Sequence, residues 1–230
     1  AASDVYKRQN GNTASYTFYY NDGFFSYDNS QYHSDLAVMS LKLAMAGYSR
    51  EELYGEDLDE DDLRRALNLQ RLFSDMGFGN AQFENYNVAL TDDSSKVAYG
   101  FASKQIGQDV VVAVVLRGGG YGGEWASNFH TGDTSAHTGF VTPVAAVFAS
   151  LKAYLARAGQ GGAFKLWLGG YSRGSIIANL LAAKIARELP QLGRENIYAY
   201  GFAVPAALTA ADRPDPVSYT HLTLPTNSRV

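Results

Sequence analysis

Residues 164–175 read FKLWLGGYSRGS, and their reading decides the fold. Residues 164–168 are a short apolar run of the kind that fills a strand buried on both faces. A glycine-rich turn follows at residues 169–174. From residue 175 to 189 the apolar positions Ile176, Ile177, Leu180, Leu181 and Ile185 recur at helical spacing. Gly170-Tyr171-Ser172-Arg173-Gly174 fits the pattern G-x-S-x-G. Between a buried strand and an amphipathic helix, that pattern places its serine on a sharp turn with the hydroxyl exposed. The turn asks Ser172 to adopt a positive or sparsely allowed φ. At 170 and 174 a side chain would collide with the adjoining strand and helix, so only glycine fits. The helix N-terminus beneath Ser172 offers free N–H groups and a positive dipole end, which suit a developing oxyanion. The plainer reading is a glycine-rich turn whose serine merely caps the helix.

Working outward, residues 110–116 read VVVAVVL, another strand buried on both faces, and end in Arg117-Gly118-Gly119-Gly120. Glycine there lets the backbone approach a ligand, so the N–H of Gly119 can oppose that of Arg173 across an oxyanion. Read instead as an RNA-binding glycine-arginine loop, RGGGYGG has one arginine in a net-acidic chain, which argues against it. Residues 140–156 read as a helix and 197–204 as a third strand. Upstream, residues 82–90 and 96–106 half-alternate like an antiparallel pair, the second turning at 106–109 into the VVVAVVL strand. A helix from Asp35 aligns Leu36, Met39, Leu43 and Ala46 and stops at Gly47. The acidic run 51–62 reads as a solvated loop and helix start rather than a metal site. The next helix carries Leu63, Ala66, Leu67, Leu72, Phe73 and Met76 inward and stops at Gly77. The aromatic stretch SYTFYYNDGFFSYDNSQYH, residues 15–33, shows no clean period and reads as a short strand or ordered loop. Strand, helix, strand, helix, strand in succession predicts an α/β fold, a mostly parallel sheet with helices on both faces.

Composition narrows the function. With 46% hydrophobic residues in 230, the chain can bury a core and is not wholly disordered. A net charge of −4 argues against nucleic acid as a partner. The absence of cysteine excludes disulfides, thiolate zinc sites and cysteine nucleophiles. No uninterrupted apolar run approaches the roughly 20 residues of a membrane span. No cofactor or metal is expected.

The two ends share one origin at the level of DNA. Residues 1–9, AASDVYKRQ, can be encoded by a sequence whose reverse complement encodes VSYTHLTL and then a first base compatible with proline, and residues 217–225 read VSYTHLTLP. Unrelated peptides would almost never do this. The element resembles the adaptor of a transposase-based sequencing library, and residues 1–9 and 217–230 are accordingly set aside. What remains, residues 10–216, is a single partial domain of 207 residues with a net charge of −6. Its true N-terminus is expected to be missing, so the sequence does not fix a cellular compartment. His221 falls in the tail and is no catalytic candidate.

These motifs together resemble the class 3 lipases, the fungal-lipase-like branch of the α/β-hydrolases. In that family a buried strand ends in R-G-[T/S], an acidic-aromatic pair follows, and H-x-G-F opens a helix. A strand then leads into G-H-S-L-G-G, and a later strand ends in F-G-x-P. The matching pieces are residues 110–119, Glu124-Trp125, His137-Thr138-Gly139-Phe140, residues 166–175 and residues 200–205. Order and spacing agree over about residues 97–207. The resemblance implies Ser172 as acyl-accepting nucleophile and the backbone N–H groups of Arg173 and Gly119 as oxyanion hole. His137 matches a family histidine that is not the catalytic base. It also implies a carboxylic ester, a lipid or other acyl ester, as substrate.

The departures are specific. Gly119 brings no hydroxyl where the family has Thr or Ser, and Tyr171 is a bulky aromatic expected to pack into the core. Arg173 stands where leucine is usual, either to bind an acidic substrate group or to pair with a nearby carboxylate. A serine nucleophile needs a base and an orienting acid in the order Ser, Asp, His. Residues 173–216 contain no histidine, and Asp212 and Asp215 follow the last strand closely; Asp215 is a poor candidate acid. The fragment is therefore expected to stop before its acid and base and to have little activity. A thioesterase or peptidase on the same elbow and a non-catalytic binding domain are the competing readings. The aromatic residues 15–33 either line an apolar rim at the site or enter the core.

Overall fold

The computed structural model describes residues 2–7, 13–47, 62–86, 96–118, 138–159 and 163–204. Strands β1 (Ala2–Lys7) and β2 (Thr13–Phe18) form an antiparallel ribbon with Ala2 opposite Phe18. A 3-10 turn, Asp22–Ser26, leads into helix α1 (Ser34–Ala46), and helix α2 (Asp62–Asp75) precedes strand β3 (Gly79–Glu84). Then come β4 (Tyr99–Ile106), β5 (Asp109–Leu116), α3 (Thr138–Ala158), β6 (Ala163–Tyr171), α4 (Arg173–Glu188) and β7 (Ile197–Phe202). β1 lies within the stretch read as adaptor-derived and β2 outside it.

The main sheet has the order β3-β4-β5-β6-β7. β5, β6 and β7 are parallel, joined by helical crossovers, whereas β3/β4 and β4/β5 are antiparallel. The sheet is thus mixed rather than mostly parallel. The hairpin closing at Gly107, which sits at φ 60°, lets β4 return directly beside β5. The architecture is α/β and consistent with an α/β-hydrolase fold.

Every residue of β5 from Val110 to Leu116 is buried, as an unbroken apolar run requires. Alternation then sorts the side chains. Val112, Val114, Leu116, Leu166 and Leu168 face α3 and α4, where they meet Val147, Leu151, Ile177 and Leu181. Val111, Ala113, Val115 and Trp167 face α1 and α2, where they meet Leu36, Leu43, Leu72 and Phe73. A polar link crosses this second layer: Trp167 Nε1 donates to Ser40 Oγ at 2.7 Å, and that hydroxyl donates to the Leu36 carbonyl.

Three local details qualify the reading of the sequence. Leu67 is 45% exposed, while Leu69 is fully buried with Leu72, Phe73 and Met76; at 3.6 residues per turn Leu67 lies about 200° from Leu69. Gly47 ends α1 as expected, with φ −78°. A Cβ there would stand 3.0 Å from the Tyr86 hydroxyl, a tight contact to which that side chain would have to yield. Third, residues Gly139–Ala158 are by length and composition apolar enough to cross a membrane, with mean hydropathy 1.5. Alanines raise that average across its polar interruptions, and one face of the helix lies on the sheet, burying Phe140, Val147 and Leu151.

Candidate active site

The carboxyl end of β6 carries the site. β6 runs to Tyr171, and α4 begins two residues later at Arg173. Ser172 lies between them at φ 52°, ψ −124°, a conformation that costs a non-glycine residue about 1–3 kcal/mol. Its N–H donates to the Phe202 carbonyl at the end of β7, at 2.8 Å. Ser172 makes no side-chain capping bond to α4, so the reading of this serine as a mere helix cap does not describe it. The Ser172 carbonyl instead accepts from both the N–H and the hydroxyl of buried Ser175.

The glycines of the pattern answer to contact. A Cβ on Gly170 would lie 2.2 Å from the Gly174 carbonyl oxygen, inside the first turn of α4. On Gly174 it would lie 2.2 Å from the Leu116 carbonyl oxygen and 2.8 Å from the Arg117 carbonyl carbon, at the end of β5. Helix α4 therefore starts hard against two strand ends. This close approach brings the N-terminus of α4 beside residues 117–118, where the glycine run begins. Tyr171 is half-buried and packs against the layer that holds Trp167, as expected of it.

Arg173 stands apart from one of its two predicted uses, the binding of an acidic substrate group. At 1% exposure its side chain is closed off from any substrate. Nη1 donates to the Lys96 carbonyl at 3.1 Å and Nη2 to the Gly139 carbonyl at 3.3 Å. The guanidinium also sits 5.6 Å from the centroid of the Phe140 ring. Arg117, likewise 1% exposed, lies 5.6 Å from the Tyr86 ring centroid. Sequence reasoning did not name Lys96 or Gly139 as partners, since a backbone carbonyl leaves no trace in residue type. Nor did it flag Ala203, which leaves β7 at φ 48° beside the elbow.

The described side chains of the aromatic stretch, residues 19–33, do not form a rim of this site. Phe24 and Phe25 are buried core. Lys165 Nζ and the Tyr198 hydroxyl donate to the Phe25 carbonyl, and Asn29 Nδ2 donates to the Ile197 carbonyl. All three contacts lie at the amino ends of β6 and β7, opposite Ser172. Exposed Tyr27 belongs to that far end, its carbonyl accepting from the Tyr198 hydroxyl. Burial there pushes the Tyr198 hydroxyl up to about 12, with the carboxylates of Asp109 and Asp28 adding to it.

Gly119, Glu124, Trp125, His137, Pro205, Asp212, Asp215 and His221 lie outside the described residues. Among the described residues no group of three or more His, Asp or Glu side chains could hold a metal ion.

No protein-family model and no curated protein matches the sequence. Two solved structures are similar. One is a fungal lipase–inhibitor complex presented as a model for interfacial activation in lipases, with TM-score 0.42 and 14% identity over 75% of this chain and 62% of that one. The other is the lipase from Rhizopus microsporus var. chinensis, with TM-score 0.40 and 13% identity over 76% of this chain and 59% of that one. The chain thus spans less than two thirds of the length of either structure.

Proposed function

We propose that the chain carries the nucleophile half of a serine hydrolase that cleaves carboxylic esters, lipid or other acyl esters, through an acyl-serine at Ser172. The observation that carries this reading is the elbow itself: a serine at φ 52° with no capping bond, between two glycines that tolerate no Cβ. Such a conformation is maintained only where the surroundings over-determine it, and it presents the hydroxyl at the carboxyl end of the sheet.

In the first step Ser172 Oγ attacks the ester carbonyl carbon while a general base takes its proton. The negative charge on the carbonyl oxygen is met by the N–H of Arg173, at the positive end of α4, and by that of Gly119. Collapse breaks the carbon–oxygen bond to the alcohol, which leaves with the base's proton. Water, deprotonated by the same base, then cleaves the acyl-serine. Residues 173–216 hold no histidine to complete the order Ser, Asp, His, so this reading assigns the nucleophile and the oxyanion donors alone. The substrate would be a small ester or lipid.

The test is covalent labelling with a fluorophosphonate, with and without added imidazole to stand in for the base. Labelling mapped to the peptide containing Ser172 and lost in Ser172→Ala is the expected result. Labelling that survives the substitution, or none at either condition, overturns the assignment and favours a non-catalytic binding domain.

A further inference from the structure

We propose that the Arg173 side chain is a positioning residue for the elbow: it aims the oxyanion-donating N–H of its own backbone by tying the start of α4 to two other segments. The inference rests on the acyl-serine reading of Ser172 and goes beyond it, because it assigns a role to a side chain that never meets substrate.

Arg173 is the first residue of α4, and its N–H is the donor nearest the nucleophile in sequence. A helix N-terminus that follows a strained residue has little local reason to hold one orientation. Its first N–H groups lack intrahelical partners, and Ser172 supplies no side-chain cap. The guanidinium supplies what the cap does not. Its two terminal nitrogens reach different segments, Lys96 ahead of β4 and Gly139 in the first turn of α3. The Phe140 ring faces it at 5.6 Å, and the Arg173 side chain itself is 1% exposed.

The planar fork matters. Two nitrogens held in one plane can bond two carbonyls at once and so fix a direction, whereas an ammonium is a point donor on a flexible stem. One acceptor lies close to the strand end that Gly174 touches: Lys96 precedes Ala98, whose carbonyl accepts the Arg117 N–H. The backbone contact at Gly174 and the side-chain contacts of Arg173 thus fasten one helical turn on two sides. The wild-type arrangement is fixed before substrate arrives, which is what electrostatic preorganisation of an oxyanion donor requires.

The experiment follows the rate of fluorophosphonate capture by Ser172 as a function of reagent concentration, with imidazole present, for wild type, Arg173→Met, Arg173→Lys and Phe140→Leu. The expected result is a maximal capture rate at least tenfold lower in Arg173→Met, with the half-saturating reagent concentration unchanged. Arg173→Lys should recover part of the loss. Phe140→Leu, which removes the ring but no hydrogen bond, should give a smaller loss in the same sense and serves if Arg173→Met does not fold. Urea unfolding of each variant identifies the folded fraction, to which rates are normalised. Equal maximal rates in wild type and the Arg173 variants overturn the positioning role while leaving Ser172 as nucleophile. A change confined to the half-saturating concentration overturns it too. Absence of wild-type capture at Ser172 overturns both this inference and the reading beneath it.

Discussion

Gly174→Ala separates a local from a tertiary account of the elbow. Position 174 is the second residue of α4, and alanine is a better helix former than glycine by up to about 1 kcal/mol. Judged by helix propensity, the substitution should stabilise the protein. The structure predicts the opposite sign. The new Cβ would stand 2.2 Å from the Leu116 carbonyl oxygen, and real Cβ atoms essentially never come within 3.0 Å of another atom. Relief requires α4 and the end of β5 to part by about 0.8 Å, and both obstacles are backbone, so no rotamer change can provide it. Overpacking costs about 1–3 kcal/mol where side chains yield, and this case belongs at the top of that range. After the gain in propensity we expect a net loss of about 2–3 kcal/mol. With a urea m-value of about 2 kcal/mol/M, the midpoint should fall by roughly 1–1.5 M. Trp167, fully buried beneath the elbow, reports the transition by fluorescence. Gly79→Ala is the control, since nothing lies within 4 Å of its added Cβ. Its effect should stay within about 0.5 kcal/mol. A Gly174→Ala protein as stable as its parent would refute the close approach of α4 to β5 and with it the geometry of the site.

Other expectations follow from single contacts. Ser172→Gly should relieve the positive φ and raise stability by about 1 kcal/mol in urea unfolding, while abolishing fluorophosphonate labelling. His33→Ala should cost about 1 kcal/mol by the same measurement, because the His33 ring nitrogen accepts the Leu36 N–H at the start of α1. Ser40→Ala should cost about 1–3 kcal/mol by leaving the buried Trp167 N–H without its acceptor. The Tyr198 hydroxyl is raised in the folded state, so the folded protein holds its proton more tightly than the unfolded chain does. The stability it contributes is complete below pH 10 and is lost as pH rises from about 10 to 12. Burial raises Tyr99 and Tyr154 in the same direction. Thermal unfolding across that range, with tyrosinate absorbance recorded, should show midpoints falling; a midpoint that holds steady would refute the burial of these hydroxyls.

Much of the sheet was legible in the sequence because its signals are local and strong. VVVAVVL suits a strand buried on both faces, being short and β-branched, and β5 is that strand. The strand, turn and helix around Ser172 were legible for the same reason, including the positive φ and the need for glycine at 170 and 174. A side chain's absence is a signal that residue type records directly. Periodicity placed α1, α3 and α4 to within a few residues. It failed at Leu67, where two overlapping apolar stripes compete and only packing against β4 and α1 chooses Leu69 over it.

What tertiary structure alone decided concerns partners distant in sequence. Arg173 is a charged residue in an apolar position, and nothing local says that its guanidinium turns toward carbonyls 77 and 34 residues away. The aromatic stretch could not be assigned to one end of the sheet from its composition, because rings serve rim and core equally well. Its place at the amino ends of β6 and β7 is set by hydrogen bonds across 140 and more residues. Gly47 ends α1 as its sequence position predicts, but that it packs against Tyr86 is visible only in the fold. Backbone conformation and burial are properties of a short stretch of chain, and the sequence determines them. Which surface a buried polar group meets depends on how whole layers stack, and only the folded molecule decides that.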